Sequence, residues 1–322
     1  MNQKRTAVFL ALLAAALYAV NVPFSKLLLT AGVNPTMLAG FLYVGAGVGV
    51  GCMMLVKRAL GLPKPANPLI KSDLPYTVAM VVLDIAAPIF LIYGIKLTNA
   101  ANVSLLNNFE IVATSIIALV LFKEKISAKL WAAIVLVVIA GVILGFEGTE
   151  GFVLNTGSLF VLAACLCWGF ENNCTRSISD KSSEQIVVVK GLCSGAGGIA
   201  VALIIGEAFP SAAYVLLAML LGFISYGLSI NFYIMAQKDL GAAKTSVFYS
   251  VAPFLGVGFS FLFIGEMPGL QFYLALAIMV LSTVIMVMDT LGTKSGSVSC
   301  PDSHPHRKDG GGSSAHNNDL TR

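Results

Sequence analysis

The chain has 322 residues, 57% of them hydrophobic and 11% charged, with a net charge of +4 and a mean hydropathy of +0.87. A soluble domain is roughly a quarter charged, so this composition excludes an ordinary water-soluble enzyme or binding module, and the small net charge gives no ground for nucleic-acid binding. What remains is an all-α integral membrane protein, because a segment exposed to lipid must satisfy its own backbone groups and open strands cannot.

A helix crossing the ~30 Å hydrocarbon core needs about 20 mostly apolar residues. Ten segments qualify: 6–30, 35–56, 74–95, 99–122, 128–146, 156–176, 185–206, 211–235, 242–264 and 270–289. The opening Met1-Asn2-Gln3-Lys4-Arg5 imitates the start of a secretory signal, but the long apolar run and the spans that follow it predict a first membrane helix. The connections are short and leave no room for a soluble catalytic domain. Residues 290–322, rich in Gly, Ser, Asn and His, are expected to form a disordered tail. The tail holds Cys300, His304 and His306, too sparse a group in such a context for a metal site. The other five cysteines, Cys52, Cys165, Cys167, Cys174 and Cys193, read as small helix filler. No metal and no cofactor are expected.

Basic residues set the orientation. With the N-terminus inside, the inner connections hold Lys4 and Arg5; Lys57, Arg58, Lys64 and Lys71; Lys123, Lys125 and Lys129; Arg176 and Lys181; Lys238 and Lys244; and Lys294. The outer ends hold only Lys26 and Lys96, beside the acidic Glu147, Glu150, Glu207 and Glu266. Both termini are therefore expected in the cytoplasm, which agrees with an even number of spans.

The two halves of the chain echo one another. LYAVNVPFSK (17–26) aligns with CWGFENNCTR (167–176), setting Tyr18 against Trp168 and Lys26 against Arg176. A second constant shift pairs Ala100–Ala101 with Ala242–Ala243, Ser104 with Ser246 and Glu124 with Glu266. The second segment of each half is glycine-rich, at Gly45, Gly47, Gly49 and Gly51 and at Gly191, Gly195, Gly197 and Gly198. With five spans in each half, an odd number, the second half must be inserted upside down, and inverted repeats are a mark of transporters.

These features resemble the drug/metabolite transporter superfamily, in particular its EamA-domain members. The resemblance covers roughly residues 6–289. It implies two inverted five-helix repeats, 6–146 and 156–289, with both ends cytoplasmic. The family's aromatic-then-basic pattern in the first helix is matched by Tyr18/Lys26 and Trp168/Arg176. Its proline and terminal Gly-Glu in the fourth helix are matched by Pro253 and Gly265–Glu266 in the second repeat. The first repeat departs, with Ile111 and Lys123–Glu124 at those places and Glu110 beside the missing proline.

A charged side chain at mid-bilayer costs at least about 2.5–3.5 kcal/mol on insertion scales, so each one asks for a role. Asp84 lies mid-way along the third segment, and Pro88 cannot donate to its carbonyl. Asp84 is either a carboxylate facing a cavity, where it binds a cation or a proton, or half of a structural pair. Glu110 belongs to a polar stripe of Ser104, Asn107, Asn108, Glu110, Thr114 and Ser115 at helical spacing, read as the lining of a wet cavity. Glu171, Asn172 and Asn173 precede Arg176, and Lys190 enters the next segment. A Glu171–Lys190 or Glu171–Arg176 pair would be a gate or a static brace. Asn21 and Pro23 break the first segment, as in transporters whose broken helices offer backbone groups to substrate. Lys26 either contacts a substrate anion or snorkels to the interface. Trp168, Tyr226, Tyr233 and Tyr249 either stack on a substrate ring or pack the core.

No P-loop, HExxH or GxSxG occurs, so neither ATP drive nor those catalytic sites are expected. The expected function is secondary transport of a small metabolite, amino acid or drug-like compound. It would work by alternating access and run outward, by proton antiport or exchange, in the cell membrane. The expected partners are the substrate and the lipid bilayer, with the oligomeric state open between monomer and homodimer. An exchanger of nucleotide sugars or phosphorylated metabolites, of the same superfamily, stands second. A channel or a membrane enzyme stands third.

Overall fold

The computed structural model describes residues 3–62, 67–122, 127–145, 155–178, 181–240, 248–249, 251–265 and 269–292. All regular structure among them is helical. The helices are α1 (Gln3–Ala19), α2 (Asn21–Thr30), α3 (Pro35–Ala59), α4 (Leu74–Leu97), α5 (Ala100–Leu106), α6 (Phe109–Phe122) and α7 (Ala128–Gly145). They continue with α8 (Thr156–Ser177), α9 (Ser183–Ile204), α10 (Ala212–Gly222), α11 (Ser229–Leu240), α12 (Ala252–Ile264) and α13 (Leu270–Gly292). A π-helical turn, Phe223–Leu228, joins α10 to α11. Five stretches are long and apolar enough to cross a membrane: Arg5–Thr30, Pro35–Ala59, Lys71–Leu97, Ser183–Ile204 and Ala212–Ala236. Shorter apolar helices cover Trp131–Ile143, Ala252–Ile264 and Leu270–Ile285. The tail with Cys300, His304 and His306, and the positions Lys123–Glu124, Ala242–Ala243, Ser246 and Glu266, lie outside the described residues.

Three of the predicted segments are interrupted. The first breaks at Val20, since Pro23 has no N–H to give the carbonyl of Ala19. The fourth does not run as one helix. It turns at Asn107 and Asn108, where Asn108 Nδ2 donates to Leu105 O at 3.2 Å. An asparagine side chain that takes a backbone carbonyl competes with the helix for it. The expected single polar stripe is therefore split between α5 and α6. The ninth segment is interrupted at the matching place: Phe248 and Tyr249 are helical, Val251 is a turn, and α12 follows. Pro88, by contrast, leaves α4 continuous.

The main pairings join the first half of the chain to the second: α3 with α9, α4 with α8, α1 with α11, α7 with α13 and α5 with α12. The second helices of the two halves, α3 and α9, run antiparallel, because Gly40 faces Gly195 and Gly198, Gly47 faces Gly191, and Gly51 faces Val188. The fifth helices do the same, with Ala133 opposite Ser282 and Ala128 opposite Ile285 and Met288. The α3–α9 contact needs glycine. A Cβ on Gly191 would stand 2.7 Å from the Tyr43 carbonyl oxygen, and one on Gly195 would stand 2.6 Å from the Val44 nitrogen. Without hydrophobic drive between helices in lipid, such close backbone approach is a main source of their association.

Candidate substrate site at the helix crossings

The glycine contact between α3 and α9 brings Tyr43 and Lys190 into the interior, where α4 and α8 cross. Lys190 Nζ lies 3.1 Å from Asp84 Oδ2 and 3.0 Å from Glu171 Oε1. The Asp84–Lys190 contact is a buried ion pair. Tyr43 donates its hydroxyl to Asp84 Oδ1 at 2.9 Å, and Trp168 lies beside that tyrosine. Thr175, one turn beyond Glu171, donates to Glu171 Oε1. Three helices of this crossing thus meet on one ammonium, and α3 reaches it through the Tyr43–Asp84 bond. Asp84 is fully buried, and Glu171 and Lys190 are nearly so.

Beside this group stands Glu110, in the first turn of α6. Asn172 on α8 donates to Glu110 Oε1 at 2.8 Å and to Thr114 Oγ1 at 3.3 Å. Gly169 allows α6 to come this close to α8, since a Cβ there would sit 2.8 Å from that of Ala113. Among the described residues, Glu171 and Lys190 are charges that act on Glu110. Full ionisation of Asp84, Glu110, Glu171 and Lys190 leaves two net negative charges in the interior, and a bound cation or protons on the carboxyl groups would remove that cost.

On the other side of Tyr43, rings replace charges. Tyr43 packs on Tyr226 at 5.0 Å between centroids, Tyr226 on Tyr18 at 6.0 Å, Tyr18 on Tyr249 at 5.8 Å and Tyr249 on Tyr233 at 4.9 Å. Asn21, at the break of the first segment, donates to the Tyr226 hydroxyl at 3.1 Å and accepts from Ser25 at 3.2 Å. Ser229, just beyond the π turn, donates to the Ala14 carbonyl at 2.8 Å. A π turn inserts a residue into a helix and is often placed at functional sites. Here it carries Tyr226 into the row of rings.

The residues singled out from the sequence fall into three places. Asp84, Glu171, Lys190 and Trp168 share the charged crossing, and Glu110 adjoins it. Asn21, Tyr226, Tyr233 and Tyr249 belong to the aromatic row. Asn107 and Asn108 sit at the turn between α5 and α6, each with a buried side-chain oxygen that has no hydrogen-bond partner among the described residues, and Asn108 Nδ2 also reaches Met279 Sδ at 3.5 Å. Lys26 stands apart: its ammonium donates to the carbonyls of Ile95 and Thr98 at 2.8 Å each, satisfying groups that the end of α4 leaves open. The side chain of Arg176 lies outside the described residues. Tyr43 was not singled out, although it touches both the charges and the rings. Its only sequence signal is a large polar ring in a run of small residues.

The two closures of the bundle also differ. At one end Lys57 pairs with Glu184, Lys181 stands 3.8 Å from Asp73, and Gln185 Oε1 accepts from the Leu69 amide. At the other, Glu207 accepts from the amides of Thr36 and Met37 at the start of α3, at 3.2 and 2.8 Å, a favourable place for a carboxylate on a helix N-terminus.

Comparison with known proteins supplies the context. A model of the EamA-like transporter family matches residues 5–146 and again 155–288. An uncharacterized transporter of Methanothermobacter thermautotrophicus (strain Delta H) is 22% identical over 275 residues, spanning 79% of this chain and 78% of the relative. A crystal structure of another protein superposes with a TM-score of 0.63 at 18% identity, over 90% of this chain and 99% of that one, a likeness of fold alone. The chain carries two copies of one family unit, folded as a multi-pass bundle of apolar helices, and it belongs to the EamA-like transporter family.

Proposed function

We propose that the protein spans the cell membrane ten times as two inverted repeats, with both termini cytoplasmic. It works there as a secondary transporter that exports a small metabolite, amino acid or drug-like compound by alternating access, driven by proton antiport or exchange. The observation that carries this reading is the buried group of Asp84, Glu171 and Lys190 with Glu110 beside it, held where helices of both repeats cross. Counterpart helices that run antiparallel, α3 on α9 and α7 on α13, are the geometry two inverted units produce. The excess of Lys and Arg at one set of connections supports the orientation. Two units rocking about this crossing would open the space beside it to either side in turn, and a carboxyl group that gains and loses protons there would couple the cycle to a pH gradient.

The rival reading, a carrier of nucleotide sugars or phosphates, needs cations open to an anion. Lys190 is already flanked by two carboxylates, and Lys26 is bound to backbone carbonyls, so the geometry favours the first reading.

The test is uptake into proteoliposomes of labelled amino acids, amines and other small metabolites, with and without an imposed pH gradient, beside the variants Asp84→Asn and Glu110→Gln. The expected result is saturable uptake that rises with the gradient and falls in a variant that still folds. Uptake indifferent to the gradient but accelerated by internal substrate would make the protein an exchanger and remove the proton role of these carboxyls. Conductance steps in place of saturable counterflow would make it a channel.

A further inference from the structure

The charged crossing and the aromatic row differ in access. Asp84 and Asn21 are fully buried and Tyr226 is 2% exposed, whereas Tyr18, Glu110, Asn172, Tyr233 and Tyr249 all retain exposed surface. A carboxylate facing lipid would be costly, so the open side of Glu110 belongs inward, on the side of the tyrosines it acts on electrostatically. Glu110 spends one oxygen on the Asn172 amide. Its other oxygen has no hydrogen-bond partner, and no ammonium or guanidinium lies within ion-pair distance of it, among the described residues. Among the described residues the cation that acts on Glu110 is Lys190, and it is committed to Asp84 and Glu171. Tyr18, Tyr226 and Tyr249 are within Coulomb range of Glu110, and Tyr249 packs on both Tyr18 and Tyr233.

We propose that Glu110, with Tyr18, Tyr233 and Tyr249, is the recognition site for an organic amine cation that carries an apolar body about the size of one ring. This rests on the transport reading and names the substrate class of that site. The carboxylate supplies a negative charge that no described cation of the protein pairs with. The ring faces attract a cation electrostatically and shelter its apolar part. Among the described residues a substrate anion finds no free cation there, and a neutral alcohol leaves Glu110 uncompensated. The Asp84–Lys190–Glu171 group, sealed and internally paired, positions the crossing and does not touch the substrate.

The experiment is binding to the full-length protein in detergent of three probes of matched shape, 2-phenylethylamine, 2-phenylethanol and phenylacetate, read by isothermal titration. The amine is expected to bind tightest. Glu110→Gln, which keeps the length and the bond to Asn172, is expected to weaken the amine by about tenfold or more and leave the alcohol unchanged, since bonds to a charged group are the stronger ones. Tyr249→Leu is expected to weaken the amine several-fold, and Tyr249→Phe to retain it. Equal affinity for the three probes, or an amine affinity untouched by either Glu110→Gln or Tyr249→Leu, overturns the proposal. If Glu110→Gln does not fold, the wild-type ranking of the probes and the Tyr249 pair decide alone. The same probes in proteoliposomes separate the two readings. Counterflow of the alcohol or the acid without the amine rejects the substrate class and keeps the transporter. Amine binding without counterflow of any probe keeps the site and rejects transport.

Discussion

Two crossings in this molecule are built on one plan and filled differently. The shift of 150 positions that sets Tyr18 against Trp168 also sets Asn21 against Glu171, and the shift of 142 that sets Ser104 against Ser246 sets Asp84 against Tyr226. The structure brings both sets together. In one crossing α4 meets α8, and Lys190 holds Asp84 and Glu171. In the other α1 meets α11 and its π turn, and Asn21 donates to Tyr226. Tyr43 joins them, giving its hydroxyl to Asp84 and its ring face to Tyr226. The charged crossing is made from helices that run unbroken, α4 through Pro88 and α8 through all 22 residues. The neutral crossing is made from a segment broken at Val20 and a helix loosened by the π turn. The repeat supplies the scaffold twice, and the side chains make one copy a brace and leave the other able to bend. That difference gives a rocking machine a fixed side and a yielding side.

The largest effect should come from removing the cation of the brace. Lys190→Met leaves Asp84 and Glu171 facing each other without compensation, and breaking a buried pair this way costs about 3–5 kcal/mol. The expected outcome is a large loss of folded protein and a lower unfolding temperature in detergent. Adding Asp84→Asn and Glu171→Gln should recover most of that stability while the transport cycle stays impaired. A Lys190→Met variant as stable as the parent would show that the two crossings are held by packing alone and that the charges carry no structural load.

A smaller effect, shared by both crossings, should follow from filling the glycine seam. Gly191→Val puts branched carbon against the backbone of α3, within 2.7 Å of the Tyr43 carbonyl oxygen on the ideal path. Overpacking of this sort costs about 1–3 kcal/mol. Because Tyr43 serves both crossings, thermal stability and transport should fall together. A variant that loses transport while keeping full stability would mean that the seam slides during the cycle, and that its smoothness rather than its tightness is what the glycines provide.

Much of this organisation was legible before the structure. Ten apolar runs, the clustering of Lys and Arg, and the echo of LYAVNVPFSK in CWGFENNCTR pointed to a duplicated helical membrane fold, because a span needs a minimum length and carries little polarity. The spacing of the glycines announced close helix contact but not which helix would be the partner. The fate of the charges was not legible. Whether Asp84 is open or paired depends on the rotation of α9 that brings Lys190 inward, and Lys26 had two readings, neither of which was a cap on α4. Tyr43 escaped notice because a single tyrosine among small residues has the same signature in a core, at an interface and at a site. The split of the fourth segment was hidden by its hydrophobicity: the pattern of Asn107, Asn108 and Glu110 fits a helical face, and only the backbone bond taken by Asn108 shows that the face is interrupted.

The smallest effect expected is at the neutral crossing, and it is the sharpest test of the comparison. Tyr226→Phe keeps the rings stacked and removes the hydroxyl that accepts from Asn21 at 3.1 Å. A neutral hydrogen bond contributes about 0.5–1.5 kcal/mol net, and Asn21 retains Ser25 as a donor to its oxygen. The unfolding temperature should therefore drop only slightly, by far less than for Lys190→Met. Transport is the more informative readout. If this crossing is the one that bends, loosening the tie between the Val20 break and the π turn should change the turnover rate with little change in the half-saturating substrate concentration. If the half-saturating concentration moves and the rate does not, Tyr226 belongs to the substrate site itself. The yielding side of the machine would then lie elsewhere, with the turn between α5 and α6 and its counterpart before α12 the next place to look.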